Sequence, residues 1–467
     1  MMNRDEISAL LDQCTKEDLA AFLLGKAERD ADFESELFYM LGAPDRARER
    51  AALKDFIRIN IRKNTHSGYI DWRDCDNICY AFTNMLDKVA IRLTDASCLI
   101  AFDGALEIFL TCVKLASRAD SSSGMLTVVS DQSLELLEKA CNMVAAHCDE
   151  KEKKQTYETL IKQSKNKIFE GWGEWNYILL RYAIIFLHAK NCKKLYDALD
   201  ELYEKYGQIK FSMYYESSDK LIRYAAIHKL DGDFAAEKFL MQNIGIDEMR
   251  FIAIERAMDK GDFGFAEKLC REKIEAMEAK SYYGRVPEWF YLLYNVYEKS
   301  QNKMKQIEEA RAILFGGDVS YYNVLKELYQ ESGMWEKEYR PLLTALNTNL
   351  SSFTYMQIIK DEQEWSLLLE GVKKSPSFVF TYGECLADRY KNDIFPIYRA
   401  EIEKEASNAM DRRQYREVCK SLEQFFDAGG GVIVFDMIAG FCETYKRRPA
   451  MLDELDKLRK KLRKTIE

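Results

Sequence analysis

Twelve cysteines and four histidines are the side chains in this sequence best suited to bind a metal or act as nucleophiles. Cys75 and Cys79 are four residues apart and so share one face of a helix, while Cys141, His147 and Cys148 form the only mixed cluster. A structural zinc needs four ligands, and no C-x-x-C pair supplies them. We therefore predict no metal site and interpret most cysteines as small buried hydrophobes of a reduced, cytoplasmic protein.

The sequence patterns typical of enzymes are incomplete. His188 and His228 stand in apolar helical stretches and His66 in a turn, and neither a G-x-S-x-G elbow nor an H-E-x-x-H pair accompanies them. The 77 aspartates and glutamates are spread over solvated helix faces, and no pair stands out as an acid–base couple. We predict that the protein is not an enzyme.

Two glycine clusters have backbone N–H groups that could hold a phosphate, but each lacks the rest of its motif. Gly171-x-Gly173 has no third glycine, and no predicted strand precedes it. Gly429-Gly430-Gly431 is not followed by the Gly-Lys-Ser/Thr that reaches the phosphates. We interpret the first as a loop and the second as a helix C-cap with a chain reversal, and we predict no cofactor.

The composition favours helices over loops. Proline occurs six times in 467 residues, 47% of the residues are hydrophobic and 31% are charged. A net charge of −9 gives the chain no overall attraction to nucleic acid or anionic lipid. The longest apolar run, residues 177–189, is interrupted by Arg181 and is too short for the roughly 30 Å of a bilayer. With acidic residues where a signal peptide would be apolar, we expect a cytoplasmic protein without a membrane partner.

Helix signals run along the whole chain. Thr15 followed by Asp18 predicts a capped helix start, and helical periodicity extends from about 46 to 63. After residue 171 apolar helices alternate with polar corners, the clearest being Asp-Gly-Asp-Phe at 231–234 and Lys-Gly-Asp-Phe at 260–263, each followed by Ala-Glu-Lys. Weaker corners stand at Asn302, 333–335, 363–365 and 392–393.

These patterns predict an all-α protein of stacked helical hairpins that form a superhelix similar to tetratricopeptide repeats. We expect an N-terminal helical domain at 1–170 and a repeat array at 171–467 that ends in a basic capping helix. One hairpin cannot cover apolar stripes on both sides, so neighbouring hairpins must stack. Such an array leaves one curved surface free for a partner.

Two sets of residues are candidates for contact with a partner. Aromatic residues recur beside the corners; they are favoured as interface anchors, although core packing is their commoner use. This set is Tyr282, Tyr283, Trp289, Tyr321 and Tyr322.

The C-terminal segment from Lys457 to Lys464, called here the basic tail, is an amphipathic helix with six basic residues, which either caps the last repeat or contacts a nucleic-acid backbone. The residues for that contact are Lys460, Lys461, Arg463 and Lys464.

Short segments of the chain resemble bacterial SWIM zinc-finger family proteins. Arg413-x-Tyr415-Arg416-Glu417-Val418 and residues 445–455 are similar to the terminal repeat of that family. Further similar segments are 31–34, 68–72, 105–107 and 119–121. The family carries a zinc module, C-x-C followed by C-x-H, upstream of a helical region. Neither pattern occurs here, so the resemblance assigns no zinc ligand to this chain.

The resemblance implies an accessory role in DNA or protein interactions, since members of that family occur beside SWI/SNF-type ATPases. Together with the repeat pattern it leaves two hypotheses for function. The first is a non-catalytic repeat scaffold that binds another protein. The alternative is a nucleic-acid-associated accessory module that uses the basic tail.

Overall fold

The computed structural model describes most of the chain. The described residues are 11, 13–29, 33, 37, 42–66, 68–170, 174–206, 212–278 and 287–466. Within them the backbone forms helices and the corners between helices; it forms no β-strand, and its isolated β-bridges join His66 to Tyr69 and Ile70 to Ala119. The predicted all-α class is confirmed for this part of the chain.

The chain divides into two compact units, residues 1–256 and 257–467. The described helices up to the boundary are α1 (Lys16–Ala27), α2 (Arg46–Lys63), α3 (Trp72–Ala90), α4 (Cys98–Ala116), α5 (Met125–His147), α6 (Glu150–Ser164), α7 (Glu174–Ala183), α8 (Cys192–Tyr206), α9 (Ser212–Asp231), α10 (Asp233–Gln242) and α11 (Asp247–Asp259). The boundary falls within α11. Short 3-10 turns follow α6 at Lys167–Phe169 and α7 at Ile184–Phe186. The boundary between the compact units follows residue 256, whereas the predicted domain boundary follows residue 170. The predicted boundary stays a prediction.

The second unit continues with helices up to the C-terminal end. They are α12 (Phe263–Glu278), α13 (Glu288–Lys299), α14 (Lys303–Phe315), α15 (Tyr321–Glu331), α16 (Trp335–Asn349), α17 (Ser352–Asp361), α18 (Trp365–Lys374), α19 (Val379–Asn408), α20 (Arg412–Phe425), α21 (Gly431–Thr444) and α22 (Pro449–Ile466). A 3-10 turn, Pro376–Phe378, precedes α19, and a π-helical turn, Phe426–Gly430, separates α20 from α21.

Local side-chain chemistry sets several helix starts and ends. Thr15 and Asp18 form the predicted capping box, in which each side chain accepts a hydrogen bond from the other residue's backbone N–H. Gly232 and Gly261 have φ angles of +83° and +76°, which only glycine adopts without strain, and they end α9 and α11 at the two clearest predicted corners. Asp262 then caps α12 through the N–H of Phe265 at 3.0 Å.

The first unit is organised around α4, which is buried on nearly all sides and contacts α2, α3 and α5. A helix that is apolar around its whole circumference belongs inside a core. A buried ion pair lies near the start of α2. The guanidinium of Arg92 donates to Glu49 at 3.1 Å and to the carbonyl of Gly42 at 3.1 Å. The side chains of Arg92 and Glu49 are 6% and 1% exposed, so each charge is compensated by the other and not by water.

In the second unit, helices α12 to α20 each pack against their neighbours in sequence, and α22 packs on α20 and α21. This places a continuous apolar core along the unit, from Ile307 to Leu462. Leu455, Leu458 and Leu462 of α22 are buried in it. Stacking of consecutive helices is the described arrangement; a tetratricopeptide-like superhelix remains a proposal.

Helix α19 is sharply bent at Tyr390, whose φ of −128° and ψ of 35° are not helical. In a straight helix Gly383 and Tyr398 would lie about 22 Å apart along the axis. Instead, a Cβ added to Gly383 would meet the Tyr398 hydroxyl at 2.6 Å, so the two halves of α19 fold against each other. The corner predicted at 392–393 is therefore present but lies two residues earlier, and residues 392–393 themselves are helical.

One helical stretch among the described residues, 412–444, is long enough to cross a membrane and contains an apolar window of 18 residues with a mean hydropathy of 1.6. Gly429 interrupts it with a φ of +90°, and its apolar residues Phe425, Val434 and Ile438 belong to the core of the second unit. Core helices pass the same test of length and composition, so this stretch is weak evidence for a membrane span.

We expect Gly383→Ala to destabilise the protein. The new methyl group would lie 2.6 Å from the ring of Tyr398, which is 1% exposed and stacks on Phe425, so the ring has no room to move aside. Overpacking of this kind costs about 1–3 kcal/mol.

The matched control is Gly440→Ala on α21, where an added Cβ meets nothing within 4 Å. That change should raise the free energy of unfolding by roughly 0.5–1 kcal/mol, because alanine favours helix over glycine. Urea denaturation of both variants measures the two effects. Equal stability of the two variants would contradict the close packing of the α19 halves.

Candidate functional site

Two grooves flank the second half of α19. The first, called here the Pro396 groove, lies between α19 and α21 and has a volume of about 580 Å³. Its lining residues are Phe395, Pro396, Arg399, Glu403, Ile433, Asp436, Met437, Gly440, Phe441, Thr444 and Tyr445. The second, called the Glu405 groove, lies between α19 and α20 and has a volume of about 610 Å³. It is lined by Glu401, Lys404, Glu405, Asn408, Ala409, Arg413, Gln414, Glu417 and Val418.

Helical spacing explains how each wall of the Pro396 groove forms. Phe395, Arg399 and Glu403 follow one another at four-residue intervals and therefore share one face of α19. On α21 the lining positions 433, 436–437, 440 and 444 recur at three to four residues. Because α21 packs on α22 and on the end of α20, its lining face is left open toward α19.

The floor of the Pro396 groove is apolar and has free space at Gly440. Phe395, Met437 and Phe441 are 7%, 5% and 7% exposed, so they hold the walls together while showing only their edges to the groove. Gly440 carries no side chain and an added Cβ would meet no atom within 4 Å. A residue of a binding partner can therefore approach the backbone of α21 at this point.

Charges of both signs line the rim of the Pro396 groove. The Nε of Arg399 donates to the Glu403 carboxylate at 2.8 Å, and Asp436 on the opposite wall faces the same guanidinium. The hydrogen bond that Arg399 donates to Glu403, together with the negative charges of Glu403 and Asp436, raises the pKa of Arg399. These side chains are well exposed, so the pair can exchange partners at little cost.

Carboxyls and cations both line the Glu405 groove. Glu405 is half-buried, and this burial raises the pKa of its carboxyl; the neighbouring charges of Glu401 and Glu417 act in the same direction. The hydroxyl of Ser421 donates to Glu405 at 2.7 Å and opposes the shift. The charge of Lys404, which also lines the groove, opposes the shift as well.

Neither groove assembles a recognised catalytic set. The lining residues contain no histidine or cysteine, and their ionisable groups are carboxyls, lysine, arginines and the Tyr445 hydroxyl. Among the residues that the structure describes, no group of three or more His, Cys, Asp or Glu side chains is placed to hold a metal ion. What the grooves offer is shape, apolar edges and paired charges, which are the properties of a binding surface.

Comparisons with protein-family models, with curated proteins and with solved structures found no match. The resemblance to SWIM zinc-finger proteins therefore stays a prediction. The function proposed below depends on the residues and geometry of this chain.

Of the predicted aromatic anchors, Trp289, Tyr321 and Tyr322 are described, and none of them lines either groove. Tyr282 and Tyr283 fall outside the described residues. Trp289 and Tyr322 are 2% and 5% exposed, so these two residues pack in the core, which is the commoner use of aromatic side chains. Tyr321 is half-buried and packs edge-on against its tyrosine neighbours on α13, with ring centroids 5.7 and 5.3 Å away.

The basic tail forms most of its charge contacts within the chain. Lys460 pairs with Asp456 at 2.7 Å, and Lys461 pairs with Glu423 on α20. Arg463 and Lys464 are exposed and have no ion-pair partner among the described residues. The tail therefore presents less free positive charge than its composition suggests, and nucleic-acid binding by it stays a prediction.

Sequence reasoning missed both grooves. Two signals could have indicated them: Pro396 inside a helical pattern, and Gly440 inside the apolar pattern of α21, each of which costs helix stability unless it has a structural use. The sequence does not reveal that the two positions face each other.

Replacing Glu405 by glutamine tests the electrostatics of its groove. Because the folded protein holds this proton more tightly than the unfolded chain, the carboxyl costs stability as the pH rises above its ordinary pKa of 4.5. Glu405→Gln should therefore raise the free energy of unfolding at pH 7, by less than about 1 kcal/mol because the group is half-exposed.

The gain should disappear at about pH 4, where the wild-type carboxyl is also protonated. Glu308→Gln, at an exposed position on α14, is the control and should leave stability unchanged. Denaturant titrations at the two pH values measure both. If Glu405→Gln lowers stability equally at both, the Ser421 hydrogen bond outweighs the burial of the charge.

Proposed function

We propose that this protein is a non-catalytic helical scaffold that binds a segment of another protein in the Pro396 groove. The observation that carries the proposal is the open space at Gly440, between two helices that are otherwise closely packed into the unit. Peptide-binding grooves on helical proteins combine a concave apolar floor with a polar rim. The Pro396 groove has both features.

The dimensions of the groove suit a short helical segment. On α19 its wall extends from Phe395 to Glu403, which is about 12 Å at 1.5 Å per residue. On α21 it extends from Ile433 to Thr444, which is about 16 Å. Two to three turns of a partner helix have roughly this length, with anchors spaced at three and four residues.

The lining indicates the chemistry of the partner. An apolar anchor that enters at Gly440 would contact the edges of Phe395 and Phe441. Arg399 can turn from Glu403 to a carboxylate of the partner, while Asp436 and Glu403 are then free for a cation. An amphipathic helix with an apolar stripe and charges of both signs meets these conditions.

We propose further that the helical hairpins of this scaffold stack into a superhelix and that the protein has an accessory role beside SWIM-type proteins. The repeated corners at Gly232 and Gly261 and the consecutive packing of α12 to α20 support a repeat scaffold. In such a scaffold the binding surface is extended and catalysis is not needed.

A substitution that fills the groove tests the proposal. Gly440→Leu places a side chain in the groove at a position where the added Cβ meets no atom within 4 Å, so the protein should fold and be at least as stable as wild type. The tagged full-length chain is used to capture partners from the cells that produce it. We expect a partner that binds wild type and is reduced at least tenfold with Gly440→Leu, a loss of about 1.4 kcal/mol or more.

Gly264→Leu on α12 is the matched control, since Gly264 is also an exposed helical glycine whose added Cβ would make no close contact. It should capture the partner as wild type does. Cross-links from the captured partner should fall on α19 and α21. Equal capture by all three chains would contradict the groove as the binding site, and capture of no partner by any of them would contradict the scaffold function.

A further inference from the structure

Two cysteines from different corners of the first unit touch each other. The Sγ atoms of Cys98 and Cys148 are 3.5 Å apart, although the residues are 50 positions apart in sequence. Cys98 is the first residue of α4, and Cys148 is the residue that ends α5. All twelve cysteines of the chain are free thiols in this structure.

We propose that Cys98 and Cys148 are a redox-sensitive dithiol that a peroxide oxidises reversibly to an intramolecular disulfide. A disulfide has an S–S length of about 2.05 Å, so the sulfurs need to approach by about 1.5 Å. Both residues lie at helix ends, and the backbone of Cys148 is extended, with φ −87° and ψ 162°. Rotation of the two side chains can supply this movement more easily there than inside a helix.

The two thiols differ in access to solvent. Cys98 is 1% exposed, whereas Cys148 is only partly buried and lies beside His147, whose side chain is 39% exposed. An oxidant dissolved in water therefore reaches Cys148 first. Cys75 and Cys79, the other close pair, are both fully buried within α3 and provide an internal control.

The reaction balances with hydrogen peroxide as the oxidant. The Cys148 thiolate attacks one peroxide oxygen, the O–O bond breaks, and a sulfenic acid and one water form, using the proton of the thiol. The Cys98 sulfur then attacks the Cys148 sulfur, the S–O bond breaks, and a second water leaves with the proton of Cys98. Two thiols and one peroxide thus give one disulfide and two waters.

Burial and the adjacent Cys98 thiol raise the pKa of Cys148 to about 12. Little thiolate is therefore present near neutral pH, so the reaction of Cys148 with peroxide is slow. The bond would close a loop that contains the whole of α4 and α5, the most extensively packed helices of the unit. Closing this loop restricts the unfolded chain and so stabilises the folded state.

The test uses the full-length reduced protein, treated with hydrogen peroxide, blocked with an alkylating agent and digested at aspartate and glutamate. Residues 96–103 then carry Cys98 as their only cysteine, and residues 139–149 carry Cys141 and Cys148. We expect these two peptides to be linked, with fragment ions that place the bond at Cys148. Dithiothreitol should separate them, and the oxidised protein should have a higher Tm than the reduced protein.

Two serine variants complete the experiment. Cys148→Ser, at a partly exposed position, should fold normally but form no linked peptide and show no rise in Tm on oxidation. Cys192→Ser, also partly exposed, should retain both effects. The proposal is overturned if folded wild type gives no linked peptide while Cys192 is oxidised, or if Cys148→Ser shows the same rise in Tm as wild type.

Discussion

The ring of Tyr398 holds together the part of the molecule from which the candidate site is built. It lies against Gly383 in the first half of α19 and stacks on Phe425 of α20 with ring centroids 4.8 Å apart. Phe425 in turn contacts Phe395, which lines the Pro396 groove. The bend of α19, the position of α20 and one wall of the groove therefore depend on a single buried aromatic cluster, in which no ring can move without disturbing the others.

Ionic interactions contribute to this structure unevenly. Arg92 and Glu49 are buried together in the first unit, so loss of either would leave an uncompensated charge in the interior. Other pairs, such as Arg399 with Glu403 in the second unit, lie at the surface, where solvent screens them. Surface pairs add little stability, but under the proposed function they would allow the rim of the Pro396 groove to exchange internal partners for those of a bound segment. The same reasoning makes the basic tail a poor source of free charge, because most of its cations are already paired.

Much of the helical framework could be predicted from the sequence, because the signals are local. The periodicity from 46 to 63 corresponds to α2, and the glycine corners at 232 and 261 require left-handed backbone that the structure has. The sequence predicts the bend of α19 two residues too late. No glycine marks the bend, and Tyr398 in the second half of the helix holds it by packing against Gly383 in the first half. Both grooves, and the contact of Cys98 with Cys148, join residues distant in sequence, and a single sequence has no signal for such proximity.

The central claim is that the aromatic cluster at Tyr398 couples α19, α20 and α21 into one cooperative structure that forms the Pro396 groove. Hydrogen-exchange mass spectrometry of the full chain, wild type against Tyr398→Ala, tests it most directly. The account predicts faster amide exchange in all three helices together and no change in α4 of the first unit. Faster exchange confined to the second half of α19, with α20 and α21 unaffected, would contradict it.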